Sequence, residues 1–465
     1  MRLASCLAPF MKGYFGLDPV GALTLSGQFK GDWASTGAEL AGAVHTLAKR
    51  GFKGPFVTID LRPAHEAGAT EGQEIAMALA QGVLMLRTLE AYGMELDAAR
   101  RALSFIVPVD GDQFMGIAKL RALRLLWAQV EHWCGLTPEP LRIHAETSWR
   151  MLTKRDPHVN ILRSTIAAFA AGVGGADSVT VLPFTQALGL ADSAARRLAR
   201  STSTVLQEEA DLWRVADPAA GAGGYEALTD DLAAKAWALF QEIEGEGGLI
   251  VSLVLGKVQA RISAAALARA RDVATRKQPL TGVSEYANLT EIAPFVLDVP
   301  VIVPKKARGE PALSAAPLVS RRTAEPFEAL RDRADALLAK TGARPAVTLV
   351  TLGPFADHGP RLGFMRNLFE AGGFEVSVAP PHPPASSGHL LPLGEKKVAL
   401  ACLIGSDAAY GEQGSVIVAA LAKQGVTVWL AGKPENAMTQ AGVARYVFAG
   451  CDVVEVLHAA LEVCK

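Results

Sequence analysis

The chain has 465 residues, more than a single hydrophobic core usually holds, so two domains are expected. Half of the residues are hydrophobic and a fifth are charged, which excludes a disordered chain. Lys plus Arg number 46 against 47 Asp plus Glu, a formal net charge of -1, which excludes an overall electrostatic grip on nucleic acid or an anionic membrane.

The first residues, Met1 to Ala8, are mildly apolar but soon meet Lys12 and Asp18, too short a stretch for a secretory signal. No run approaches the roughly 18–20 apolar residues that span a bilayer. Cys6, Cys134, Cys402, Cys451 and Cys464 are scattered, with no CxxC pair and an odd total. Reduced thiols of a cytoplasmic protein are expected, not a disulfide frame or a zinc site.

Up to about residue 290, short apolar runs alternate with long helical patterns. Residues 57–61, 103–109, 141–145 and 178–182 read as buried strands. Between the second and third, Leu120, Leu123, Trp127, Val130 and Cys134 form one helical stripe over 114–134. Further on, Leu232, Ala236, Leu239, Phe240 and Ile243 line a helix stopped by the glycines at 245, 247 and 248. This alternation predicts an α/β fold, a parallel sheet with helices outside, either open or closed as a barrel. From about 291 to 345, Pro300, Pro304, Pro311 and Pro317 punctuate a basic connecting segment, followed by a short helix over 326–340. Residues 346–465 form a second unit with strands at 347–352, 374–379, 397–404, 426–431 and 446–448. That rhythm fits a five-stranded, flavodoxin-like, doubly wound domain with its ligand site at the carboxyl ends of the strands.

Residue chemistry alone is thin: the sequence has no GxGxxG after a strand, no Walker A motif, no HExxH and no GxSxG. Gly172, Gly174 and Gly175 read as a helix end, and Gly221, Gly223 and Gly224 as a turn before a helix. His65 and Glu66 follow the first strand, where an acid–base pair would sit in a parallel barrel, or Glu66 simply begins the next helix. His144 reads as an interior histidine, whereas His358, just past the first strand of the second unit, takes a ligand-facing place.

Several stretches, taken together, resemble the methylmalonyl-CoA mutase family. They are Glu66-Ala67-Gly68-Ala69, the segment from Ile117 to Trp127, the segment from Leu141 to Ser148, Leu206-Gln207-Glu208-Glu209, Ala216-Asp217-Pro218, the segment from Leu228 to Ala233 and the segment from Gln278 to Val283. The resemblance implies an acyl-CoA mutase-type β/α barrel over 1–290, a linker over 291–345 and a cobalamin-binding-type domain over 346–465. It also implies adenosylcobalamin, whose cobalt–carbon homolysis performs the difficult step while the barrel holds the acyl-CoA. The polar groups that active members place at the barrel mouth are replaced. A Tyr-His pair is Arg62-Pro63, a substrate-contacting arginine is Ala102, and an aromatic residue is Ile106. A glutamine is Glu146, an asparagine is Leu182 and an Asp-Glu pair is Thr185-Gln186. Ser104 and His144 remain as remnants of a substrate site. Proline cannot titrate, and an anionic Glu146 would repel a carboxylate substrate, so no catalytic residue is expected.

In the second unit the family's Asp-x-His-x-x-Gly reads Ala356, His358 and Arg361, with Asp357 beside the histidine in place of its partner. Ser406 and Gly432 are the other remnants of a cofactor site, from a Ser-x-Leu that reads Gly405-Ser406-Asp407 and a Gly-Gly that reads Ala431-Gly432. The resemblance is to the small-subunit branch, implying a heterodimer whose large catalytic subunit binds the acyl-CoA and the cofactor. The chain starts near Asp18-Pro19-Val20-Gly21-Ala22-Leu23, similar to a mid-barrel segment, so the opening barrel strands are expected to be missing or supplied by a partner. Two competing readings are an active mutase of altered specificity, using His65, Glu66, Glu146 and His358, and a regulatory or chaperone-like protein of the mutase.

Overall fold

The structure is a computed structural model describing residues 13–29, 31–300, 313–379 and 398–464. It is an α/β protein of two compact units. The first comprises the described residues of Met1–Leu152, Asn160–Leu267 and Pro294–Arg322; the second those of Thr153–Val159, Ala268–Ala293 and Thr323–Lys465. The stretch expected to connect two domains is therefore shared between them. Among the described residues no helix is long and apolar enough to cross a membrane.

The first unit is built on a four-stranded sheet of β1 (Val57–Asp60), β2 (Leu103–Val109), β3 (Ile143–Thr147) and β4 (Ser178–Thr180), side by side in that order and all parallel. β2 is buried along nearly its whole length, as its apolar run requires. The outer edge of β1 is joined by the segment around Leu17, which accepts from Thr58 N at 3.0 Å and donates to the Phe56 carbonyl at 3.1 Å. Among the described residues β4 pairs with β3 alone.

After β1 comes a short helix, α1 (Arg62–Ala67), then α2 (Glu71–Ala91). Glu66 therefore does not open the long helix. Gly68 separates the two in the left-handed region, φ +110°, and a Cβ there would meet Ala266 Cβ at 2.5 Å. α2 starts at a capping box of Thr70 and Gln73. It packs with α3 (Gln113–Trp133) and the later α5 (Gly223–Gly245), where an added Cβ at Gly82 would run into the Trp127 ring. Between these lies α4 (Ser193–Glu208).

Strand ends differ from the sequence reading where side chains intercept the backbone. Arg124 takes the Leu141 carbonyl at 2.5 Å, so β3 begins at Ile143. Thr147 Oγ1 takes Leu182 N at 2.8 Å, so β4 stops at Thr180.

The second unit carries β5 (Ala346–Thr351), β6 (Glu375–Ala379), β7 (Leu400–Ile404), β8 (Thr427–Ala431) and β9 (Arg445–Val447). They lie in the order β6-β5-β7-β8-β9, all parallel. Alternate residues feed two apolar clusters. Leu349, Phe369, Trp429 and Leu457 belong to one, with α6 (Phe355–Ala371), and Val350, Leu403, Val418 and Leu430 to the other.

Candidate functional site

Parallel strands present their carboxyl ends, and the loops after them, to ligands. In the first unit those ends carry Asp60, Arg62 and Glu146. The Arg62 guanidinium reaches Asp60 through Nε (3.0 and 3.1 Å) and Nη2 (2.7 Å), and Nη1 reaches both oxygens of Glu146 at 3.1 and 3.2 Å. The bond to Asp60 and the nearby Glu146 carboxylate raise the pKa of Arg62 further above its ordinary value, against the pull of burial. Two of the replaced positions have thus paired with each other. Pro63, the other half of the replaced pair, is buried in the first turn of α1.

His144 projects from β3 toward β4, where Nδ1 meets Ser178 Oγ at 2.7 Å and Nε2 meets Thr180 Oγ1 at 3.1 Å. Burial lowers its pKa, Glu146 opposes this and Arg62 adds to it. Ser104 is buried and donates to the Val57 carbonyl at 3.3 Å. Ala102 is buried too, its carbonyl accepting from Phe56 N and Val57 N, and Leu182 contributes its backbone to Thr147.

The His65–Glu66 pair is split. His65 turns inward, fully buried, with Nδ1 2.7 Å from Glu74 Oε1 and Nε2 2.6 Å from Ser148 Oγ. Lys119 bonds Glu74 at 2.8 Å and the Pro108 carbonyl at 2.5 Å. Arg150 joins the His65 and Ala69 carbonyls to Asp110. Burial raises the Glu74 carboxyl and Lys119 opposes it. For Asp110, burial pushes up, but Arg150, His65 and Lys119 outweigh it and bring the group to about 2. Glu66 stays half-buried outside this network, its carboxyl raised by burial. A further carboxylate, Asp18, accepts from Gly21 N and Gln81 Nε2, each at 2.8 Å. Burial, with nearby Asp60, raises it to about 7 against those bonds. Sequence reasoning missed Asp18, Glu74, Lys119, Ser148 and Arg150. The available signal was the place of Lys119 on the apolar stripe of its helix, four residues before Leu123 and eight before Trp127.

In the second unit a cavity of about 760 Å³ opens at the carboxyl ends of β8 and β9, beside α6. Arg361 crosses it, Nη1 donating to the Gly405 carbonyl at 2.6 Å and Nη2 to Asp407 at 2.7 Å, with its guanidinium over the Tyr410 ring. The Tyr410 hydroxyl accepts from Gly405 N at 2.9 Å and donates to the Ala431 carbonyl at 2.8 Å, tying β7 to β8. Burial pushes its phenol up to about 12. Gly432 lines the cavity and bonds the Val447 carbonyl through its N–H. Ser406 caps a short helix, accepting from Ala409 N at 3.2 Å. His358 lies inside α6, buried, its ring edge-on to Phe355, and among the described residues its Nδ1 has no hydrogen-bond partner, Asp357 included. Among the described residues no group of three His, Cys, Asp or Glu is placed to hold a metal ion.

Two parallel α/β sheets, each with its ligand-facing end crossed by an arginine, define the class, and the comparisons give the family. Residues 11–337 match the family described as Methylmalonyl-CoA mutase, and the chain belongs to that family. It is 43% identical over 460 residues to the methylmalonyl-CoA mutase small subunit of Streptomyces virginiae, covering 97% of this chain and 70% of that one. To the small subunit of Propionibacterium freudenreichii subsp. shermanii it is 36% identical, covering 96% of this chain and 68% of that one. To the methylmalonyl-CoA mutase of Escherichia coli it is 35% identical over 50% of this chain and 33% of that protein. The chain thus spans about two thirds of the length of its small-subunit relatives.

Proposed function

We propose that this chain is the non-catalytic small subunit of an adenosylcobalamin-dependent methylmalonyl-CoA mutase. In this reading a cytoplasmic heterodimer interconverts methylmalonyl-CoA and succinyl-CoA on a longer, active large subunit, which this chain stabilises. The observation that carries the reading is Arg62, whose guanidinium is held by Asp60 and Glu146. The strand ends that would receive an acyl-CoA are occupied by an internal ion pair, and both ring nitrogens of His144 are bonded to hydroxyls of the neighbouring strand. Among the described residues at these strand ends, Asp60 and Glu146 are engaged by Arg62, and Glu66 stays half-buried beside them.

The four-stranded sheet we infer to be part of a β/α barrel within 1–290, and residues 346–465 a degenerate cobalamin-binding-type, flavodoxin-like domain, joined through 291–345. The strand order β6-β5-β7-β8-β9, with one strand added on the far side of the first, supports the second assignment. The residues there do not fit cobalamin. A lower cobalt ligand needs an accessible, oriented imidazole; His358 is buried and its Nδ1 is unbonded. Tyr410 ties the ends of β7 and β8 together, and Arg361 holds the loop after β7. We therefore assign the cofactor to the large subunit.

The test is to purify the chain alone and with an active large subunit, and to assay methylmalonyl-CoA isomerisation with adenosylcobalamin added. Turnover and corrin absorbance are expected only with the large subunit present. Turnover by this chain alone would overturn the reading.

A further inference from the structure

We propose that the exposed face of α4, with the groove beside it, is the surface on which the active large chain docks, through an acidic amphipathic segment of that chain. This deepens the preceding reading and rests on it.

The apolar positions of α4 recur at helical spacing: Ala195, Leu198, Ala199, Val205 and Leu206. Only Ala195 and Ala199 are buried, while Leu198 and Val205 are 39% and 45% exposed. The apolar surface continues onto the turn that packs on α4, where Trp213 is 68% exposed. At the other end it runs onto the antiparallel ribbon of Leu190–Ala191 and Val296–Leu297, flanked by Phe295 at 70% exposure. Monomers seldom leave more than about 300–600 Å² of contiguous apolar surface uncovered without using it.

Charge selects the occupant. Along its middle α4 carries Arg196, Arg197 and Arg200, with acidic residues at its ends, Asp192 at the N-cap and Glu208 and Glu209 at the far end. Arg197 and Arg200 make no ion pair among the described residues, and Arg196 bonds only the Asp192 carbonyl, at 3.2 Å. Beside the helix a groove of about 490 Å³ has apolar walls from Val181, Pro183 and Ala199, and Arg196 and Arg200 on its rim. Such a groove takes a bulky apolar side chain flanked by carboxylates. A second copy of this chain suits it poorly. A two-fold contact through this face sets the same arginines against each other, and like charges opposed across an interface repel.

The experiment uses the full chain and an active large subunit, measuring the dissociation constant by titration calorimetry. The double variant Arg196→Glu/Arg200→Glu and, separately, Leu198→Asp are each expected to weaken binding by at least about tenfold, with the thermal midpoint of the isolated chain unchanged. A photo-crosslinker at Leu198 is expected to capture a Glu- or Asp-rich segment of the large chain. Tight wild-type binding with both variants equally tight overturns the surface and leaves the proposed function standing. No binding by the wild type overturns both. Crosslinking to a second copy of this chain overturns the choice of occupant.

Discussion

The two units close their strand ends with the same residue type and different chemistry. Arg62 lies between two carboxylates and is backed by a buried charged network from Lys119 to Asp110. Arg361 lies on a tyrosine ring, a backbone carbonyl and a largely exposed Asp407. The first closure depends on two carboxylates largely shielded from solvent, the second on stacking, a backbone carbonyl and a solvated carboxylate. Stability of the first should therefore respond strongly to charge removal and to pH, and that of the second weakly.

The largest expected effect breaks the backing of the first closure. Lys119→Met leaves the Glu74 carboxylate buried without its cation, at a cost of about 3–5 kcal/mol. Loss of hydrogen-exchange protection over β1 and β2, with β7 and β8 unaffected, checks it; equal loss in both units would erase the contrast. Next comes the direct comparison. Arg62→Ala leaves two half-buried carboxylates facing each other and should cost about 1–2 kcal/mol in urea unfolding. Arg361→Ala, whose carboxylate partner is solvated, should cost about 0.5 kcal/mol. A larger loss at Arg361 would reverse the ranking.

The last comparison sharpens the pH argument. Asp18 rises to about 7 on folding from an unfolded value near 3.8. The folded form therefore holds the proton more tightly, and stability falls as pH rises from about 4 to about 7. Asp18→Asn can keep the cap on Gly21 and removes that slope, so at pH 8 it should be more stable than wild type. The two should converge near pH 4; unfolding midpoints at pH 4 and pH 8 decide it.

Much of the fold was legible because strands buried on both faces are written as continuous apolar runs, and 103–109 matched to the residue. Strand ends were less legible. Arg124 on the Leu141 carbonyl and Thr147 on Leu182 N act across space, and periodicity carries no trace of them. Arg62 and Glu146 could be read singly as replaced positions; that the two pair with each other depends on the β1-β2-β3 register, which sets His144 opposite Ile106. Tyr410 carried no signal at all, since nothing local marks a hydroxyl that will tie two strand ends together.

The inward-turned His65, bound to Glu74 and Ser148, has one more consequence. Restoring a working mouth to this sheet would take more than returning lost side chains to the rim. The imidazole next to that rim is already spoken for by the interior, so any redesign toward turnover must first release it and then fill the hole it leaves.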